Sequence, residues 1–179
     1  VEFAFFVILL AVAGNETTRN AMTHGMNAFF DNPEQWELFT RERPDTAVEE
    51  IIRWATPVHC FQRTALRDVE IGGATVAEGQ RVGLFYSSAN FDEDVFDEPE
   101  KFDILRNPNP HVGFGGPGPH FCLGANLARR EVAIIFRELF KRLPDLEVTG
   151  DAVPLASEGI PLVTGIKHLP VRFTPTPRS

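Results

Sequence analysis

A mainly helical fold with small β-sheets is what this sequence predicts, and three features carry that expectation. The first 57 residues read as helices divided at prolines, and residues 58–82 read as short strands divided by glycine turns. An irregular stretch from Phe91 to Phe121 then gives way abruptly to an amphipathic helix.

The first helix is expected to run from residue 1 into the twenties, apolar all round to Ala13 and polar after Gly14. Asn32-Pro33 starts the second, with Asn32 as N-cap and Pro33 at the first helical position, where a missing amide does no harm. Arg43-Pro44 stops it, and Pro44-Asp45 opens a third helix that ends near Thr56-Pro57. In the strand region Phe61, Thr64 and Leu66 lie among polar residues, with turns at Gly72-Gly73 and Glu78-Gly79. A short helix fits Leu84 to Asn90. Prolines and glycines then break every period as far as Phe121, and so long an irregular stretch in a compact domain usually serves a function. After it, Leu123, Leu127, Ala128, Val132, Ile135, Phe136, Leu139 and Leu143 repeat at the spacing of one buried helix face. Beyond Pro144 come strand-like pieces with turns at Gly150, Gly159 and Gly165.

At 179 residues, 43% apolar and 23% charged, the chain has the balance of one ordinary globular domain with a sizeable core. A net charge of −8 argues against nucleic acid as a partner, since phosphate neutralisation needs clustered Lys and Arg. Two cysteines, Cys60 and Cys122, are too few for a disulfide framework, so a cytoplasmic setting is expected. The apolar run Phe3 to Ala13 is eleven residues long, short of the roughly 20 that span a bilayer, and it lacks the basic flank of a signal peptide. No membrane anchor is expected; the run reads as a buried helix that begins upstream, which makes the chain a fragment.

The segment richest in chemistry is Phe114 to Gly124, with Gly115, Gly116 and Gly118 ahead of His120 and Cys122. A cysteine just before a strong helix sits where free amides and the positive dipole end favour an anionic sulfur. Glycines let the backbone pass close to a flat ligand where a Cβ would clash, and His120 offers a donor for an anionic group. The plain alternative is an inert cysteine beside a glycine turn. A phosphate-binding loop lacks its lysine here, and covalent haem attachment would need a second nearby cysteine.

This loop resembles the haem-binding loop of the cytochromes P-450, Phe-Gly-x-Gly-x-His-x-Cys-x-Gly. Gly116, Gly118, His120, Cys122 and Gly124 match in register, whereas Phe114 lies one residue early and Gly115 fills its slot. Three further stretches occur in the family's order. Ala13-Gly14-Asn15-Glu16-Thr17-Thr18 resembles the oxygen-binding stretch of the long central helix, where an acid–alcohol pair delivers protons to dioxygen. The alternative there is a threonine bonded to its own backbone beside a solvated glutamate. Glu50 and Arg53 resemble the Glu-x-x-Arg pair, buried in the family and completed by a third basic residue, here Lys101 or Arg106. Phe61-Gln62-Arg63 resembles the strand whose arginine binds a haem propionate.

The resemblance implies the C-terminal half of the cytochrome P-450 fold, so that residues 1–179 form the haem-binding portion of a single domain whose N-terminal half is absent. It implies haem b (iron protoporphyrin IX) with Cys122 as the axial ligand. It also implies a monooxygenase fed with electrons by ferredoxin and ferredoxin reductase, acting with O2 on a hydrophobic small molecule. Within the family, Ala13 to Thr18, Arg53 to Pro57, Asn107 to Gly116 and Gly165 to His168 are similar to bacterial steroid side-chain 26/27-monooxygenases. Hydroxylation of a sterol-like side chain at its terminal methyl is therefore expected. Val12, Ala13, Val58, Phe61, Leu162 and Val163 are expected to face substrate, with core packing as their alternative. Arg129, Arg130 and Arg137 would form a patch for the ferredoxin or simply a solvated helix face. Competing readings are oxidation of another lipophilic substrate, such as a fatty acid or terpenoid, and a non-catalytic haem-thiolate sensor.

Overall fold

A single unbroken helix, α1 (Glu2–Asp31), opens the chain because Leu, Ala, Phe and Met dominate it and no proline interrupts it. The structure is a computed structural model, and it describes residues 1–155 and 162–175. α2 (Pro33–Glu42) and α3 (Thr46–Ala55) come next, each stopped by a left-handed residue ahead of a proline, Arg43 (φ 50°) and Thr56 (φ 33°). Asn32 sits at the expected cap position, but its side chain serves the helix behind it: Nδ2 donates to the Ala28 carbonyl at 2.8 Å. Its own carbonyl accepts the first amides of α2, from Gln35 and Trp36.

β1 (Cys60–Thr64) pairs antiparallel with β4 (Arg81–Phe85), enclosing the hairpin of β2 (Val69–Ile71) and β3 (Ala74–Val76). That hairpin turns on Gly72 and Gly73 at φ 57° and 81°, values that exclude most side chains. α4 (Tyr86–Asn90) closes the strand region, and no regular element occurs again until α5 (Ala125–Arg142). Two further small sheets pair β5 (Glu147–Val148) with β8 (Val171–Arg172) and β6 (Val153–Pro154) with β7 (Ile166–His168).

The core lies where α1, α2, α3 and α5 meet around Phe29. Its ring has Phe39, Phe102, Phe136 and Phe140 within 5.2–5.5 Å between centroids. Gly25 permits the approach, since a Cβ there would stand 2.7 Å from Ile51 and 2.9 Å from Phe136.

Three expectations fail here. Residues 1–14 of the chain are exposed rather than buried, although helical from Glu2, because the other described elements pack on the later part of α1, from Thr18 to Phe30. The buried stripe of α5 is Ala125, Val132, Phe136 and Phe140, while Leu123, Leu127 and Ile135 are exposed. The core takes one side of that helix and leaves its second apolar edge exposed. Gly165 is no turn: it is buried against α1, where a Cβ would come within 2.6 Å of the Asn20 side chain. The expected turn at Gly159 lies outside the described residues.

Phe29→Ala removes the ring on which Trp36, Phe39, Phe102, Phe136 and Phe140 converge. Denaturant unfolding of the protein is expected to show a loss of about 3–5 kcal/mol. A loss below about 1 kcal/mol would mean that the cluster is not the core.

Candidate functional site

Cys122 is exposed, two residues before the Gly124 N-cap of α5. Its amide donates to the Phe114 carbonyl at 3.0 Å, and its carbonyl accepts from Ala125 at 3.2 Å. The loop is thus closed on itself from Phe114 to Cys122 and joined to the helix behind it. Gly115 at φ 87° and Gly118 at φ 136° hold conformations that L side chains resist, which is why glycine recurs here. A Cβ at Gly116 or Gly118 would meet no protein atom within 4 Å, so this face of the loop borders open space. Among the described residues no amide donates to the Cys122 sulfur; Sγ instead lies 3.9 Å from where a Cβ of Gly124 would stand.

Beside the loop lies an open pocket of about 410 Å³ lined by Gly115, Gly116, Gly118, His120, Tyr86 and Arg63. The Arg63 side chain donates to the Gln62 carbonyl and lies over the Phe61 ring at 5.9 Å. Among the described residues it has no carboxylate partner, and its fork remains available to an anion in the pocket.

Behind the loop, Glu50 and Arg53 are fully buried and joined by two bonds of 2.8 Å. Arg53 donates further to the carbonyls of Asn90, Pro99 and Lys101. Glu50 accepts from the Asp103 amide, Arg106 and Asn109. The third basic group is Arg106, which also binds the carbonyls of Asp97, Glu98 and Lys101. Lys101 contributes its carbonyl while its ammonium pairs with Glu98 on the surface.

A second network was not foreseen. Glu49, next to Glu50 on α3, takes two bonds from Arg129 of α5, at 2.6 and 3.0 Å, and one from His111 Nε2 at 2.9 Å. The Gly113 amide donates to His111 Nδ1 at 3.1 Å, which leaves Nε2 as the donor to Glu49. Arg129 also covers the Phe114 ring at 4.5 Å. Burial alone would raise the Glu49 carboxyl, but the bonds from His111 and Arg129 and the Arg129 charge outweigh it and hold it at about 2. A glutamate whose partners lie 62 and 80 residues away carries no local sequence signal for this. Arg129 is committed inward, so only Arg130 and Arg137 of the suggested patch remain without a described acidic partner.

On α1, the Thr17 hydroxyl donates to the Ala13 carbonyl at 2.7 Å, and Glu16 pairs with Arg19. Val12, Ala13 and Gly14 are exposed, and nothing lies within 4 Å of a Cβ at Gly14. No described hydrogen bond joins this stretch to the cysteine loop. Val58 and Val163 do meet, in an antiparallel bridge flanked by bonds from the His59 amide to the Leu162 carbonyl and from the Thr164 amide to the Pro57 carbonyl. Phe61 lies nearby in sequence on β1, partly exposed.

A chain with one exposed cysteine closed in a glycine loop at a helix start, above a buried Glu-x-x-Arg network, has the architecture of a haem-thiolate protein. The sequence profile of the cytochrome P450 family matches residues 44–169, and the chain belongs to that family. A steroid C26-monooxygenase of Rhodococcus jostii is 62% identical over 96% of this chain. A methyl-branched lipid omega-hydroxylase of Mycobacterium tuberculosis is 52% identical over 97%. The chain spans 36% and 40% of the length of those proteins. Among solved structures, a Mycobacterium marinum cytochrome P450 in complex with pseudoionone superposes with a TM-score of 0.88 at 49% identity, over 94% of this chain and 40% of that one. A Bacillus megaterium cytochrome P450 in complex with corticosterone gives 0.90 at 36%, over 96% and 46%. The fold is therefore part of the P450 fold: helices with small antiparallel sheets.

The cofactor of the family is haem b, and the residues present fit it. Among the described residues no cluster of three or more metal-ligating side chains occurs. The exposed Cys122 sulfur would suit an iron group that needs one ligand from the protein. Arg63 and His120 on the same pocket suit its carboxylates.

Glu50→Ala would strand the buried Arg53 and is expected to cost about 3–5 kcal/mol. The variant should yield little haem-loaded protein. Normal haem content and melting temperature would show that the network does not hold the loop.

Proposed function

We propose that this chain is the haem-binding C-terminal portion of a single cytochrome P450 domain, and that the whole protein hydroxylates the terminal methyl of a steroid side chain. The observation that carries the reading is the exposed Cys122, set in a glycine loop beside a pocket that also holds Arg63 and His120. Bound haem would supply the activation of O2, with one oxygen atom entering a C–H bond and the other leaving as water.

The chain's own residues divide the remaining work. Cys122 would ligate the iron, and Gly115, Gly116 and Gly124 with Phe114 would keep the loop low enough for a flat ligand. Arg63 and His120 orient the cofactor through its carboxylates. Glu16 and Thr17 hold and pass protons, for which the Thr17 hydroxyl must leave the Ala13 carbonyl and Glu16 must leave Arg19. Ala13 and Gly14 leave room beside them. Val12, Val58, Phe61, Leu162 and Val163 form an apolar guide for substrate.

Positioning is essential because a terminal methyl has a stronger C–H bond than its secondary and tertiary neighbours. Reactivity alone would oxidise elsewhere, so selectivity requires that the chain end alone reach the iron. The Rhodococcus and Mycobacterium tuberculosis relatives are named for oxidation at a chain end, which supports this reading and gives a second one, a methyl-branched lipid. Electrons would come from a ferredoxin and its reductase, docking near Arg130 and Arg137. No helix of the described residues is long and apolar enough to cross a membrane. A cytoplasmic setting agrees with two cysteines that are both free.

Reduction of the whole protein under carbon monoxide is expected to give the red-shifted Soret band of thiolate ligation. Cys122→Ser should abolish the band and Cys60→Ser should leave it; the reverse would overturn the ligand assignment. Added cholest-4-en-3-one should shift the ferric haem towards high spin and be turned over to the terminal alcohol. If methyl-branched fatty acids shift the spectrum and sterols do not, the second reading replaces the first.

A further inference from the structure

We propose that Glu49 is a positioning residue for the Cys122 sulfur, gripping the cysteine loop from both sides through His111 and Arg129. The inference rests on the haem-thiolate reading of Cys122 and adds a residue outside the Glu-x-x-Arg pair.

The position of the sulfur depends on few contacts. The Cys122 amide is tied to the Phe114 carbonyl, so wherever Phe114 sits the cysteine must sit with it. Phe114 in turn is held in two ways. Its ring lies under the Arg129 guanidinium, and its backbone continues from Gly113, whose amide is tied to His111. Both restraints end on one carboxylate. Glu49 takes Arg129 on both oxygens and His111 on one of them. The loop and the helix after it therefore share one side chain of α3 as a common polar anchor.

The His111 side chain is 3% exposed, so its bond to Glu49 is sheltered from competing water. Arg129 and Glu49 are about one-third exposed, and their pairing alone would be modest. The fork geometry and the shared partner raise its value. Adjacent carboxylates on α3 consequently do different jobs. Glu50 binds Arg53, Arg106 and Asn109 and fixes the stretch from Asn90 to Asn109. Glu49 fixes the next stretch, from His111 to Cys122.

The test is spectroscopic and uses the haem-loaded whole protein. Ferrous carbon-monoxide complexes of wild type, Glu49→Gln and Arg129→Gln are held in sub-denaturing urea, and the conversion of the thiolate-type Soret band to the displaced form is timed. Losing a charge-assisted bond should accelerate conversion about tenfold or more in both variants. Glu138→Gln, which removes an acid near the far end of α5, should leave the rate unchanged. If Glu49→Gln fails to load haem, His111→Gln removes only the second arm and should still accelerate conversion. Equal rates in all variants would overturn the proposal, as would a lower melting temperature with an unchanged rate. A wild-type protein without any thiolate-type band would overturn the haem-thiolate reading instead.

Discussion

Arg53 has no access to water, and a guanidinium in that position must find a counter-charge and acceptors for the N–H groups it carries. Its fork meets Glu50, and its remaining donors go to carbonyls of Asn90, Pro99 and Lys101. Two of those carbonyls belong to backbone with no helix or strand to satisfy it. An irregular segment can be buried only if its polar groups are paired elsewhere, and here a side chain does what a ladder of backbone bonds would do. The same logic explains the other side of the pair. Glu50 has more acceptor capacity than Arg53 can fill, and the Asp103 amide, Arg106 and Asn109 take up the rest. The cost of desolvating the pair is offset because it organises a stretch of chain too irregular to organise itself.

The arrangement extends through residues that carry no charge. Asn90 ends α4, donates to the Thr56 hydroxyl and accepts from the Val112 amide. Thr56 in turn donates to the Arg53 carbonyl at the left-handed end of α3. Loop, helix end and strand region therefore meet at α3, which explains why a helix of only ten residues is so heavily buried. A rigid scaffold beneath a glycine loop is what the proposed ligand role of Cys122 would require.

Much of this was legible in the sequence where the signal is local. Helix ends track prolines, the β2–β3 turn tracks paired glycines, and the Glu-x-x-Arg spacing places both groups on one face of α3. What failed depends on partners that no local pattern encodes. The apolar start of α1, and Leu123 with the Leu127 and Ile135 edge of α5, have the composition of buried surface, yet burial needs a second surface facing them. Gly165 reads as a turn because glycine most often marks one, whereas here it makes room for Asn20 of a helix far away in sequence. The choice of Arg106 over Lys101 is likewise tertiary: both lie in one irregular loop, and only the fold decides which side chain turns inward. The Glu49 network was invisible for the same reason, because its three members come from separate parts of the chain.

The exposed apolar surfaces bear on function as well as on folding. α1 carries Val12 to Thr17 on the same helix as the bare stretch from Phe3 to Leu10, and the Val58–Val163 bridge leaves Leu162 and Phe61 open. Glu16 and Thr17 beside uncovered apolar side chains are a poor arrangement for a surface but a reasonable one for a pocket wall. Water must be kept from such a wall if protons are to be delivered in order and an apolar substrate is to be held by its end. Specificity for a chain terminus would then depend on how far the opposing wall lies from the cysteine loop. On this side that distance would depend on α3, through the bonds of Glu49 and Glu50 to the segments before and after the cysteine.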